Sequence, residues 1–172
     1  SIGLKAGALM ASTCEFGIDI YGQSAHGAMP HKGIDAILAA SHFITMIQGI
    51  LTRRVDPSQQ ALITIGTLEA GEARNILAPK AHMEGILRTF DNRVAQSVKQ
   101  YLMELLRGLE VSHGVKTFFR ELVYYPAVIN HPELTARLEE ILPRDMRVPV
   151  NPMMIAEDFA YYQQKVPRSS WD

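Results

Sequence analysis

Cysteine, charge imbalance and long apolar runs are all scarce in this chain of 172 residues. A single Cys excludes a disulfide framework and a zinc site built from several thiolates. The 17 Lys and Arg nearly balance the 18 Asp and Glu. The net charge of -1 therefore lacks the excess of positive charge that is typical of nucleic-acid-binding proteins. No apolar run approaches the ~20 residues of a membrane span. We therefore expect no nucleic-acid or membrane partner, and the lone Cys without a secretory signal favours the cytoplasm.

The remaining composition is that of an ordinary globular protein, with 47% hydrophobic residues. The length suits one domain and an additional piece. The chain starts with S-I-G, without an initiator Met, and stops at S-W-D without a finished element. We therefore expect a piece of a longer protein.

Hydrophobic periodicity predicts an α/β (α+β) fold. Alternating or β-branched residues predict strands at residues 13–21, 61–68, 81–90 and 115–125. Apolar residues three and four apart predict a helix over residues 34–52 and another after Asp91, a good N-cap. The resulting βαββαβ order is typical of a ferredoxin-like sandwich, in which two helices cover one face of a four-stranded antiparallel sheet.

Pro126 is a plausible domain boundary. We therefore expect a ferredoxin-like domain over residues 13–125, with residues 1–12 and 126–172 outside it. Short helices are predicted from Pro132 and over residues 157–164. A tail of this size is too small to bury a core of its own, so it requires a partner.

The residue spacing alone predicts no metal cluster. The six histidines are scattered, and no His-Glu-x-x-His or Cys-x-x-Cys pair is present. His26 and His31 share a Gly-rich loop at residues 22–33, where a solvated imidazole is the usual interpretation. Cys14 is interpreted as a small buried hydrophobe because no His partner is indicated.

Six ordered motifs resemble those of one enzyme family. Residues 22–31 read G-Q-S-A-H-G-A-M-P-H, and the other matching segments are 7–12, 54–57, 66–79, 85–91 (G-I-L-R-T-F-D) and 154–159 (M-I-A-E-D-F). Together they resemble the metal-dependent amidohydrolases of the aminoacylase and carboxypeptidase-G type, whose nearest branch includes hippurate hydrolase and N-acyl-amino-acid amidohydrolases. Gly27 departs from this pattern, because the family often has Ala there.

The resemblance implies a fold and a role for three residues. In that family a βαββαβ lid, which often mediates homodimerisation, is inserted into a zinc-peptidase-like catalytic domain. His26 matches the lid histidine that reaches the other subunit's active site and polarises the scissile carbonyl or stabilises its oxyanion. Asn75 matches a substrate-binding asparagine, and Arg88 matches an arginine that holds a substrate carboxylate.

The resemblance also implies a metal centre formed by residues outside this chain. The family's metal ligands and water-activating base lie upstream of the Gly7 segment or downstream of the Glu157 segment. We therefore expect two zinc or manganese ions in the complete enzyme and none in this chain.

The expected function is that of a hydrolase fragment. The complete enzyme would cleave the amide bond of small N-acyl amino acids or related amides, with this chain supplying the lid. A non-catalytic ferredoxin-like dimerisation or ligand-binding module is the alternative, and a degenerate family member without its catalytic half is a third interpretation.

Overall fold

The computed structural model of the protein describes residues 1–165. In chain order the strands are β1 (Ile2–Leu4), β2 (Gly7–Met10), β3 (Ser12–Tyr21), β4 (Ala61–Ala70), β5 (Lys80–Thr89), β6 (Lys116–Tyr125), β7 (Val128–Asn130) and β8 (Arg147–Pro149). Four of them form the central antiparallel sheet, in the order β4-β5-β3-β6. The two edges of this sheet are therefore β4 and β6.

Two long helices cover one face of the central sheet. The helices are α1 (Ala36–Arg53), α2 (Asn92–His113), α3 (Pro132–Ile141) and α4 (Phe159–Lys165). Alternate residues of β3, such as Phe16 and Ile18, are fully buried against α1 and α2. The helices contribute Phe43, Ile47 and Leu102 to the same core, as their apolar spacing requires. The predicted βαββαβ order and the α/β (α+β) fold class are thus confirmed.

Side-chain caps set the helix boundaries. The Asp35 carboxylate accepts hydrogen bonds from the backbone N–H groups of Ile37 and Leu38, so α1 begins at Ala36. The predicted start at residue 34 is wrong because Ile34 instead exchanges two backbone hydrogen bonds with Gln23. The α2 helix begins after Asp91, as predicted.

The segments outside the central sheet form small pairs. β1 pairs in parallel with β8, and β2 pairs antiparallel with β7. α3 begins at Pro132 as predicted. α4 begins two residues later than predicted, because the backbone carbonyls of Glu157 and Asp158 accept turn-type bonds from residues three positions on, Ala160 and Tyr161. The domain division at residues 13–125 stays a prediction, and the last seven residues of the 126–172 segment lie outside the described part.

α1 also satisfies the length and composition of a membrane-crossing helix. It has 18 residues with a mean hydropathy of 1.2. The sequence analysis found no such run because Ser41, His42 and Gln48 interrupt the apolar residues. The core helix of a water-exposed domain meets the same criteria, and the buried stripe of α1 packs on the central sheet.

Candidate functional site

The Gly-rich loop after β3 is hydrogen-bonded to the segment that precedes β5. The Leu77 N–H donates to the Ala25 carbonyl at 2.8 Å, and the Gly27 N–H donates to the Asn75 carbonyl at 2.7 Å. His26 and Ile76 thereby form an isolated antiparallel bridge. Two of the three predicted site residues, His26 and Asn75, therefore lie on adjacent stretches of backbone.

Close backbone approach explains the glycines of this loop. A Cβ on Gly22 would lie 2.1 Å from the Ile34 carbonyl oxygen, so no other residue fits without displacing the start of α1. A Cβ on Gly27 would lie 3.2 Å from the Asn75 carbonyl oxygen. An Ala there would require a shift of only a few tenths of an ångström.

The hydrogen bonds of His26 assign its proton. The Ala28 backbone N–H donates to His26 Nδ1 at 3.1 Å, so Nδ1 carries the lone pair. In the neutral imidazole the proton then resides on Nε2, and the His26 side chain is exposed. The loop thus presents an imidazole N–H donor at the surface, where a ligand or a partner could accept its hydrogen bond.

Arg88 occupies a different part of the domain. It lies near the end of β5, opposite Thr13 of β3, and is half-buried. Within residues 1–165, Arg88 Nη1 and Thr13 Oγ1 are both buried without a hydrogen-bond partner. Buried polar atoms in folded proteins are nearly always paired, so these two atoms can still accept a polar partner.

The structure does not bring Arg88 close to the other two candidates. His26 and Asn75 lie at the end of the sheet where β3 finishes and β5 begins, beside the Tyr21–Lys80 register pair. Arg88 lies eight residues along β5, which is about 27 Å at the antiparallel strand rise of about 3.4 Å per residue. No single small substrate can therefore contact all three residues of one chain.

An ion cluster on the open face of the sheet was missed by the sequence analysis. Asp19 is 2% exposed, and its carboxylate oxygens lie 3.1 Å from Lys80 Nζ, 2.9 Å from His82 Nδ1 and 2.8 Å from Arg120 Nη2. Burial alone would raise the pKa of Asp19, but the hydrogen bonds from Lys80 and His82 and the nearby Arg120 charge lower it overall. Strand alternation could place each residue on this face, but only the strand register brings them together.

Cys14 has no nucleophilic character. It is 1% exposed, and burial together with the Glu121 carboxylate raises the pKa of its thiol to about 12. This agrees with its interpretation as a small buried hydrophobe.

The residues described here do not fit a metal centre of the expected kind. Among residues 1–165 no group of three or more His, Cys, Asp or Glu side chains is arranged to hold a metal ion. A two-ion centre requires several converging ligands.

Curated relatives match almost the whole chain. An N-acetyldiaminopimelate deacetylase of Brevibacillus brevis is 35% identical over 170 residues, which is 96% of this chain and 45% of the relative. A Lacticaseibacillus paracasei protein of the same name is 36% identical over 172 residues, again 45% of its own length. The chain thus spans less than half the length of the curated relatives it matches.

Solved structures share the fold. A protein from methicillin-resistant Staphylococcus aureus that is named as an aminohydrolase superposes with a TM-score of 0.87 at 28% identity, covering 94% of this chain and 42% of that one. A dinuclear metal-binding M20 peptidase from Bacillus subtilis superposes with a TM-score of 0.70 at 30% identity, covering 96% and 41%.

The family assignment rests on a match over more than half of the chain. Residues 11–113 match the peptidase dimerisation domain of the M20 family, and this stretch contains β3, α1, β4, β5 and α2. The resemblance drawn from the six sequence motifs is confirmed. The chain therefore belongs to the M20 peptidase dimerisation-domain family.

Proposed function

We propose that this chain is the dimerising lid of a metal-dependent amidohydrolase that removes the acyl group of an N-acyl amino acid. The observation that carries the proposal is the exposed Nε2–H of His26, fixed by the Ala28 N–H on Nδ1. The names of the matching relatives support the same reaction class, since they are deacetylases of an acetylated amino acid. N-acetyldiaminopimelate is the first substrate to test.

His26 would serve as an oxyanion donor. When water attacks an amide carbonyl, negative charge develops on the carbonyl oxygen, and a donor aimed at that oxygen lowers the barrier. The Ala28 N–H bonded to His26 Nδ1 holds the ring in place and leaves Nε2–H as the donor for the oxyanion. Asn75, held beside it by the Gly27 hydrogen bond, would bind the same substrate through its amide.

Arg88 would bind the substrate carboxylate. The guanidinium group matches a carboxylate in shape and charge, and Arg88 is only half-buried, so part of its side chain is accessible to a substrate. Arg88 lies about 27 Å from the end of the sheet that carries His26, at about 3.4 Å per residue. We therefore assign the Arg88 of one chain to one active site of a dimer, and the His26 and Asn75 of the same chain to the other.

A homodimer through β4 and α1 would join these two sets of residues. β4 is an open edge, and apolar side chains beside it are exposed: Ile37 at 47% and Leu68 at 45%. Unpaired edge strands tend to pair with another chain, and most homodimers have two-fold symmetry. Antiparallel pairing of two β4 strands about a two-fold axis would set the His26 end of one sheet beside the Arg88 end of its partner.

The metal ions of the complete protein would be held outside the described residues, and we propose zinc or manganese as their identity. A divalent ion bound there would supply an activated water molecule and would polarise the substrate carbonyl. The residues of this chain would bind, orient and stabilise the substrate around that chemistry.

The complete protein, loaded with zinc or manganese, tests the proposal. We expect it to release acetate from N-acetyldiaminopimelate or from another N-acyl amino acid in a panel, while the 172-residue chain alone releases none. Failure of the metal-loaded complete protein on every N-acyl amino acid would contradict the proposal and favour the non-catalytic dimerisation module.

A further inference from the structure

We propose that His42 and His113 form a two-imidazole site for a borderline divalent transition-metal ion, such as Zn²⁺, Ni²⁺ or Cu²⁺, that joins α1 to α2. His42 lies on α1 and is exposed, and His113 is the last residue of α2. Imidazole nitrogen is the ligand that these ions share. Neither histidine takes part in the function proposed above.

The two rings converge across the helix pair. His42 Nδ1 lies 2.7 Å from His113 Nε2, and the ring planes are inclined at 73° with centroids 4.9 Å apart. The two nitrogens therefore face each other nearly head-on, so that the proton of one ring points at the lone pair of the other. The two histidines are 71 positions apart in sequence, so tertiary packing of α1 on α2 creates the pair.

A hydrogen-bond relay fixes the lone pair of His113. The Ser112 hydroxyl donates to the Gly108 carbonyl at 2.8 Å, so its oxygen is left to accept from His113 Nδ1–H, also at 2.8 Å. With the proton on Nδ1, the lone pair of His113 resides on Nε2 and faces His42. Metal-binding histidines commonly have their second nitrogen fixed by a hydrogen bond in this way, which sets both tautomer and ring orientation.

Metal binding requires the His42 ring to change its protonated nitrogen and to turn toward the ion. His42 Nδ1–H donates to His113 Nε2 in the metal-free pair, and the ion would take the place of this proton. The Nδ1 proton leaves to solvent while Nε2 takes one up, so the neutral imidazole changes tautomer without net proton release.

The two nitrogens, 2.7 Å apart in the metal-free pair, must also move slightly apart. With metal–nitrogen bonds of about 2.0–2.1 Å, two nitrogens on one ion are about 2.9 Å apart in square-planar geometry and about 3.4 Å apart in tetrahedral geometry. Because the two nitrogens face each other head-on in the metal-free pair, His42 must also turn its ring until both lone pairs meet at one ion, and its exposed side chain can do so by rotation. Since residues 1–165 offer no three-ligand group, water would complete the coordination shell.

Copper titration of the 172-residue chain tests this site, because Cu²⁺ binds imidazole most tightly among these ions. We expect one tight Cu²⁺ ion per chain, with an electron paramagnetic resonance spectrum that shows two coordinated nitrogens. His42→Gln and His113→Gln should each weaken this binding at least tenfold and remove one nitrogen from the spectrum. His131→Gln is the matched control, because His131 is exposed and its side chain caps nothing.

Either of two results would overturn the proposal. One is unchanged copper affinity and spectrum in His42→Gln and His113→Gln, which would place the ion elsewhere. The other is the absence of tight binding in the wild-type chain, which would leave the pair as a hydrogen bond between neutral imidazoles. Far-ultraviolet circular dichroism of each variant verifies that the fold is retained.

Discussion

At the scale of single residues, the proposed oxyanion donor gives a sharp expectation. His26→Ala in the complete protein should lower kcat by about 10²–10³, the usual effect of removing one oxyanion donor. KM and bound metal should change little, because the donor acts on charge that develops in the transition state. The exposed His131→Ala serves as the control. Steady-state kinetics with metal analysis makes the measurement, and an unchanged kcat would remove His26 from the mechanism.

Arg88 has a different kinetic signature because it would hold a group already charged in the free substrate. Arg88→Ala should lower kcat/KM by roughly 10–150-fold, the range of 1.5–3 kcal/mol for a charged hydrogen bond. The loss should be much smaller with an N-acyl amine that lacks the carboxylate. Equal losses on both substrates would show that Arg88 does not bind the substrate carboxylate.

The Asp19 cluster predicts a pH-dependent stability. The pKa of Asp19 is lowered in the folded state, so its contribution is complete above the ordinary value of 3.8 and is lost as pH falls through the lower folded value. We expect Asp19→Asn to lower the free energy of unfolding by about 1–3 kcal/mol at pH 7, because Lys80, His82 and Arg120 lose a carboxylate acceptor. Urea unfolding should show this difference shrinking below pH 3.8, whereas a pH-independent difference would contradict the ionic account.

At the scale of elements, the loop that carries His26 depends on the close approach at Gly22. Gly22→Ala would place a Cβ 2.1 Å from the Ile34 carbonyl oxygen, so we expect a loss of roughly 1–3 kcal/mol from strain, with the loop displaced. Gly108→Ala on α2 is the matched control, since no atom of residues 1–165 outside its own helix lies within 4 Å of its Cβ position. It should stabilise the helix by about 0.5–1 kcal/mol. Thermal unfolding distinguishes the two, and equal effects would contradict the packing argument.

The helices and strands could be predicted from residues that are neighbours in sequence. Most of the candidate site could not, because it depends on which residues the strand register brings together. Alternation in β3 and the Asp91 cap can be read from neighbours along the chain, whereas the true start of α1 depends on Ile34 pairing with Gln23. The Asp19 cluster draws its groups from three strands, and the distance between His26 and Arg88 follows from the strand order. Sequence motifs named the candidate residues, but they could not show that His26 and Arg88 lie at opposite ends of the sheet.

At the scale of the whole molecule, the domain should self-associate through β4 and α1. Leu68→Lys should shift the chain from dimer to monomer, because it places a charge on the apolar open edge. Val111→Lys is the control, since Val111 is 89% exposed at the end of α2. Light scattering measures the mass, and a wild-type chain that is monomeric at all concentrations would contradict the assignment of this edge.

In the proposed dimer each active site takes His26 from one subunit and Arg88 from the other, and co-expression of two variants tests this sharing. A complete protein with His26→Ala and another with Arg88→Ala are each expected to be nearly inactive. In a mixed dimer one site would combine the intact Arg88 of one copy with the intact His26 of its partner, and the other site would carry both defects. Random pairing should therefore restore about a quarter of wild-type activity, since about half of the dimers are mixed and each has one working site. Activity no greater than the average of the two variants measured separately would contradict the claim.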